Sequence, residues 1–257
     1  MFRNVIMNKK SKLLNIIITI IPFLCIILLW AIIACSIDND KVLPTVSQTV
    51  KQFFNLFGFR EFYSIYFTTL LRALISFCVS FVVAMGFAIL AIKNSVVQKI
   101  ISPIISVMRS LPTIAVVLLL IVWTNSQIAP VIVTVIVILP TVYINVKSAL
   151  ESVSKEQLQM CKAFNVSKKN VFKKVVMPQI AGEITYAIGG GLALNLKLMV
   201  AAEVIADTSK SIGKYLSLSK LYDQTVMMMA LVMVTVVSGL IIELVFSLIS
   251  KRMNKWK

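Results

Sequence analysis

Histidine is absent from this chain of 257 residues. That removes the commonest metal ligand and the commonest general base, so the easiest routes to metal binding and acid–base catalysis are closed. Cysteine is sparse: Cys25, Cys35, Cys78 and Cys161 show no CxxC or zinc-type spacing. Three of them lie in or beside apolar runs, where a free thiol behaves as a small hydrophobe. No GxxxxGK[ST] loop is present, and Gly189-Gly190-Gly191 lacks the lysine and the preceding strand that a phosphate loop needs. That glycine run reads instead as a face where membrane helices approach closely. No catalytic residue, metal site or cofactor is therefore expected.

Charge is scarce as well. Charged residues make up 14% of the chain and hydrophobic residues 59%, against roughly a quarter and a half in soluble domains. The composition predicts an all-α integral membrane protein. The net charge of +16 raises the question of nucleic acid, whose phosphates select basic proteins. The basic residues fall between apolar runs, as they do in the loops of membrane proteins, so no nucleic-acid partner is expected.

About 20 mostly apolar residues cross a bilayer core. Six such spans are predicted, at about 13–35, 65–92, 104–123, 128–146, 184–205 and 226–249, forming one transmembrane domain over 13–250 with tails at 1–12 and 251–257. The first run is too long for a secretory signal and reads as a retained helix. Seventeen Lys and Arg fall on one predicted side: Arg3, Lys9, Lys10, Lys12, Lys93, Lys99, Lys147, Lys155, Lys162, Lys168, Lys169, Lys173, Lys174, Lys251, Arg252, Lys255 and Lys257. Six fall on the other: Lys41, Lys51, Arg60, Lys210, Lys214 and Lys220. The positive-inside rule then puts both termini in the cytoplasm.

Between the fourth and fifth runs lies "SKEQLQMCKAFNVSKKNVFKKVVMPQIAGE", residues 154–183, with six lysines and two glutamates. It reads as two short helices. The first spans about Lys155 to Phe164, and Asn165 suits the left-handed position that ends a helix. Ser167 is a plausible N-cap for the second, and Val171, Phe172, Val175 and Val176 give that helix an apolar face. Pro178 is expected to stop it. Such a hairpin either lies on anionic lipid heads or docks a cytoplasmic protein.

Here the chain resembles the membrane-spanning permease subunit of binding-protein-dependent ABC importers, in the branch that includes nitrate, sulfonate, taurine and thiamine-precursor transporters. That family carries a cytoplasmic "EAA" motif. The matching positions are Gln159, Met160 and Cys161, then Lys162, Ala163 and Phe164, then Asn165 in the place of the motif's glycine, then Pro178. Gln159 replaces the motif's acid, and Asn is the next-best left-handed residue after glycine. "LPTVSQTVKQFFNLF", "TTLLRALISF", "MRSLPTIAVVLLLIVW" and "LMVAAEVIADTSKSIGKYL" are similar to further family segments in the same order, so the resemblance runs from Leu43 onward.

The resemblance implies a type I ABC importer permease bundle in the bacterial inner membrane, with the hairpin as its coupling segment. It also implies separate cytoplasmic ATPase subunits that bind the ATP, an extracytoplasmic solute-binding protein, a second permease copy, and alternating access for a small solute. An ATP-independent secondary transporter or channel is the alternative, although no internal repeat supports it. A membrane-embedded enzyme would need clustered acids, bases or metal ligands within the spans.

Ionisable residues in or next to apolar runs mark function by default. Arg72, Arg109 and Glu243 fall near predicted span ends, where snorkelling suffices. Lys197 sits roughly 20 Å into the fifth run at 1.5 Å per residue. Either it lines a pathway that attracts an anionic solute, or it is buried with Glu203 or a carbonyl. Lys197 and Glu203 are the two candidate pathway residues.

Overall fold

The computed structural model describes residues 21–253. The tails with Arg3, Lys9, Lys10, Lys12, Lys255 and Lys257, and the start of the run at 13–35, lie outside the described residues. Within them the chain is a helical bundle. The part of the first run that is described forms α1 (Ile21–Ile37). Most of its side chains are exposed, and Trp30 Nε1 donates to the Pro44 carbonyl at 3.1 Å.

Helix α2 (Val46–Leu56) begins at a capping box in which Thr45 and Gln48 bond each other's backbone N–H. Helix α3 (Arg60–Lys93) follows, then α4 (Ser95–Ser110) and α5 (Thr113–Trp123). Next come α6 (Ala129–Glu151) and α7 (Lys155–Ala163). Helix α8 (Lys168–Val171) runs through a π-helical turn (Phe172–Val176) into α9 (Met177–Ala206). The chain closes with α10 (Ile212–Leu221) and α11 (Thr225–Met253).

Four helical stretches among the described residues are long and apolar enough to cross a membrane: α3, α6, the run Lys168–Ala206, and α11. The predicted span at 104–123 is not one rod. Helices α4 and α5 meet at 93°. Pro112 holds Leu111 out of helical geometry, at φ −65° and ψ 128°, because its ring crowds the residue before it.

Small residues bring the central helices together. Ala84, Ala88 and Ala91 of α3 are fully or almost fully buried against Ile138, Val142 and Val146 of α6. Close approach of this kind is what drives helix association where burial from water cannot. Two of the three consecutive glycines on α9 serve the same end. A Cβ at Gly189 would collide with Phe246 of α11, and one at Gly191 would lie 2.9 Å from the Phe77 ring of α3. Gly190 between them faces open space.

Pro178 does not stop the second hairpin helix, contrary to the sequence expectation. The chain stays helical through it, as the second residue of α9, directly after the π-helical turn. Proline inside a helix lacks an N–H and presses on the carbonyl four residues back. The wider π turn directly before it, in which the Met177 N–H bonds the Phe172 carbonyl, gives the ring room. The result is one helical rod from Lys168 to Ala206.

Candidate functional site

At the end of the bundle where α3 and α11 finish in Lys93, Lys251 and Arg252, the 154–183 segment folds back on itself. Ser154 caps α7, accepting from the Gln157 N–H at 3.2 Å. The far end of α7 closes in a complete Schellman turn. Asn165 takes φ 51°, its N–H reaches the Lys162 carbonyl at 3.1 Å, and the Val166 N–H reaches the Cys161 carbonyl at 2.9 Å.

Around this turn Gln159, Lys162 and Ala163 are exposed and Cys161 is half-buried. Met160 and Phe164 are 59% and 77% exposed. Their i, i+4 spacing puts both on one face of α7.

Side chains that sequence reasoning passed over hold the hairpin in place. Gln179 accepts from the Ser154 N–H at 3.1 Å and donates from Nε2 to Gln157 Oε1 at 2.7 Å. Ser152 donates to Glu183 at 2.9 Å. Leu158 packs with Ala149, Val153 and Ile180. The tip is thus exposed while its base is bolted to α6 and α9. Glu156 at the start of α7 has its pKa lowered, first by the hydroxyl of Ser154 and then by its own backbone N–H.

The opposite end of the bundle carries a buried ionic clamp. Glu203 is fully buried. It accepts from Thr69 Oγ1 at 2.9 Å, from Arg72 Nη1 at 3.1 Å and from the Gly213 N–H at 3.4 Å. Arg72 also donates to Gln127 Oε1 at 2.6 Å, and Gln127 Nε2 donates to Ser209 Oγ at 2.7 Å. A Cβ at Gly213 would run into the Glu203 backbone, so glycine lets α10 lie directly on α9. The clamp joins α3, the loop before α6, α9 and α10. Arg72 therefore does not snorkel, and Glu203 does not pair with Lys197. The signal was present in both charges falling inside apolar runs, but their pairing bridges 131 positions.

Lys197 is exposed on α9 and has no hydrogen bond or ion pair among the described residues. Its Cε lies 3.7 Å from where a Cβ on Gly239 would stand. It shares one helix face with Glu183, Tyr186, Gly190 and Leu194, which recur at steps of three and four. A cavity of about 270 Å³ opens along this face between α6 and α9, lined by Thr141, Asn145, Ser148, Glu183, Tyr186 and Gly190 among others. Arg109 and Glu243 are exposed and likewise unpaired among the described residues. No group of three or more metal-ligating side chains occurs among the described residues.

A helical membrane bundle with a hairpin bolted to one end and an exposed lysine along an inner helix suits a membrane transport subunit. Residues 80–255 match the family of binding-protein-dependent transport system inner membrane components, and the chain belongs to that family. Among curated proteins it is 20% identical to the taurine transport system permease protein TauC of Escherichia coli (strain K12), over 88% of this chain and 84% of that one. It is 21% identical to SsuC of Bacillus subtilis (strain 168), named for aliphatic sulfonates transport, over 90% of this chain and 84% of that one.

Solved structures share the fold. Two inward-facing MetNI methionine ABC transporter structures align at TM-scores of 0.62 and 0.63, each with 18% identity, over 74% of this chain and 94% of theirs. An amino acid ABC transporter solved with histidines aligns at 0.63, with 17% identity, over 75% of this chain and 94% of that chain. The chain is a non-catalytic, multi-pass permease subunit of the inner membrane, working with an ATPase and a solute-binding protein. Family membership decides against the ATP-independent alternative.

Proposed function

We propose that two copies of this chain form the permease of an importer for small organosulfonate-like anions, with the basic end and both termini cytoplasmic. The names of TauC and SsuC, at similar identity over most of the chain, support sulfonate chemistry over nitrate or thiamine precursors. Lys197 supports it too. An exposed, unpaired ammonium within a membrane helix is costly against lipid. Facing a second copy across a watered pathway, it would be solvated and would attract an anion. Glu203 then acts through Arg72, fixing the far end of α9 instead of touching solute.

The coupling contact to the ATPase is the hairpin tip, over Gln159, Met160, Cys161, Lys162, Ala163, Phe164 and Asn165, with Pro178 at its base. The observation that carries this reading is the bolted Schellman turn with Met160 and Phe164 bare beside it. Mobile lipid-lying linkers need no such turn.

The test is substrate-stimulated ATPase activity and ATPase pull-down for Asn165→Val and Asn165→Gly. A left-handed backbone costs a β-branched residue roughly 1–2 kcal/mol, whereas glycine adopts it freely. Asn165→Val is expected to lose coupling with normal membrane insertion, and Asn165→Gly to retain it. Normal docking and transport by Asn165→Val would remove the turn from the mechanism.

A further inference from the structure

We infer that the groove beneath the hairpin holds the acyl chain of an anionic phospholipid, with its phosphate at Lys93. The inference rests on the reading that this end of the bundle faces the cytoplasmic leaflet. The groove has a volume of about 820 Å³. Its walls come from α3 (Met85, Ile89), α7 (Leu158), the π-helical turn (Phe172) and α9 (Ile184), with Met253 of α11 at one edge. Three of those walls belong to helices long and apolar enough to cross a membrane, so the groove opens where acyl chains lie. Water in a space so lined would gain almost no hydrogen bonds.

Charge selects the occupant. Lys93 is the only ionisable side chain among the described residues of the lining. Lys173 and Lys174 follow Phe172 directly, and Lys251 and Arg252 precede Met253. All five cations are exposed, and none has an ion pair among the described residues. No carboxylate lines the groove to receive a cationic partner or the ammonium of a zwitterionic headgroup. A lipid with a phosphate and net negative charge meets both demands at once, an apolar chain inside and an anion at the mouth. The hairpin base, through Leu158 and Phe172, would then rest partly on lipid, making coupling sensitive to the membrane's anionic content.

The test is native mass spectrometry of the intact ATPase–permease complex, exchanged into nanodiscs of phosphatidylcholine with or without phosphatidylglycerol. Wild type is expected to carry phosphatidylglycerol in preference to phosphatidylcholine. Lys93→Gln, a surface change that leaves the packing intact, should reduce that preference roughly fivefold, the value of one cation near an anionic surface. Ala181→Trp, which fills the groove from α9, should release the lipid. Equal retention of both lipids by wild type, or the same preference in Lys93→Gln, would overturn the proposal. So would cross-linking of Leu158→Cys to the ATPase or a second permease across the groove. Failure of the orientation itself would show separately, as labelling of Lys169→Cys by an impermeant thiol reagent in sealed cells.

Discussion

Replacing Arg72 with methionine tests the ionic clamp. Methionine fills most of the space but leaves the Glu203 carboxylate, which has no exposed surface, facing only Thr69 and the Gly213 N–H. Removing one partner of a buried ion pair costs about 3–5 kcal/mol, because the other charge stays behind uncompensated. The Arg72 side chain is 16% exposed, so some water reaches the site and the lower end of that range applies, about 3 kcal/mol. Glu203→Met alone leaves Arg72 with Gln127 and the Ser209 carbonyl and a path to water, so it should cost less.

The double variant decides the matter. Arg72→Met with Glu203→Met removes both charges; inside, the Thr69 hydroxyl and one weakly bonded N–H are left short of a partner, while Gln127 Oε1 and the Ser209 carbonyl lie near enough to the surface to take water, a loss of about 1–2 kcal/mol. The double variant should therefore be more stable than Arg72→Met. In a chain of this length 1 kcal/mol moves the unfolding midpoint by about 2–4 °C. Arg72→Met should fall by about 6–12 °C and the double variant by about 2–8 °C. Tryptophan fluorescence of the detergent-purified complex reads this, at one scan rate throughout because the midpoint of an irreversible transition depends on scan rate. An Arg72→Met midpoint equal to wild type, or single-variant losses that simply add, would refute the clamp.

Three other outcomes are expected. Gly189→Leu, driven into Phe246, should cut the yield of folded protein, since overpacking costs about 1–3 kcal/mol; Gly190→Ala, facing open space, should raise the midpoint slightly through helix propensity, and the two are compared by thermal unfolding. If the proposed anionic solute passes along this face, Lys197→Gln should reduce ATPase activity stimulated by the sulfonate that wild type responds to by tenfold or more, on the order of one lost charge-assisted contact, with ATPase pull-down unchanged. Because the folded Glu156 carboxyl has a lowered pKa, its contribution to α7 is present above the ordinary carboxylate range and is lost as pH falls through the folded value; amide exchange in α7 should quicken over that acid window in wild type and show no such step in Glu156→Gln.

Much of the bundle was legible in the sequence, for identifiable reasons. The α3, α6, α9 and α11 stretches are predominantly apolar over the length of a bilayer core, with few charges in each, which is the pattern of membrane-crossing helices. The left-handed turn could be read because Asn165 and its neighbours settle it locally. Features set by distant packing were not legible. Arg72 looked like a span-end cation because nothing near it in sequence shows that Glu203, Gln127 and Ser209 converge there. The 104–123 run reads as continuous by hydropathy, and the 93° bend comes from Pro112, whose effect on direction no apolar count records. Pro178 misled in the other sense: it ends an α-helix by local rules, but a π turn had room to carry the chain through.

That π turn ties the separate sites into one body. Had Pro178 broken the chain, the hairpin would hang from the bundle by a flexible joint, and displacement of its tip would be absorbed there. Instead the rod from Lys168 to Ala206 starts three residues after the Asn165 turn, passes Glu183 and Lys197 on its open face, and ends inside the Arg72–Glu203 clamp. Its 39 residues amount to a lever of roughly 58 Å at 1.5 Å per residue. Gln179 bolts α7 to the start of that rod, and Gly189 presses its middle onto α11. Under the proposed coupling, a push at the tip would be carried as tilt or rotation of α9 as a whole, turning the Lys197 face and pulling on the clamp together. The clamp need not bind solute to matter for transport. By holding the far end of α9 to α3 and α10, it ties the opposite end of the bundle to the rod that begins at the hairpin, and under the proposed reading the exposed Lys197 on the open face of that rod would turn with both.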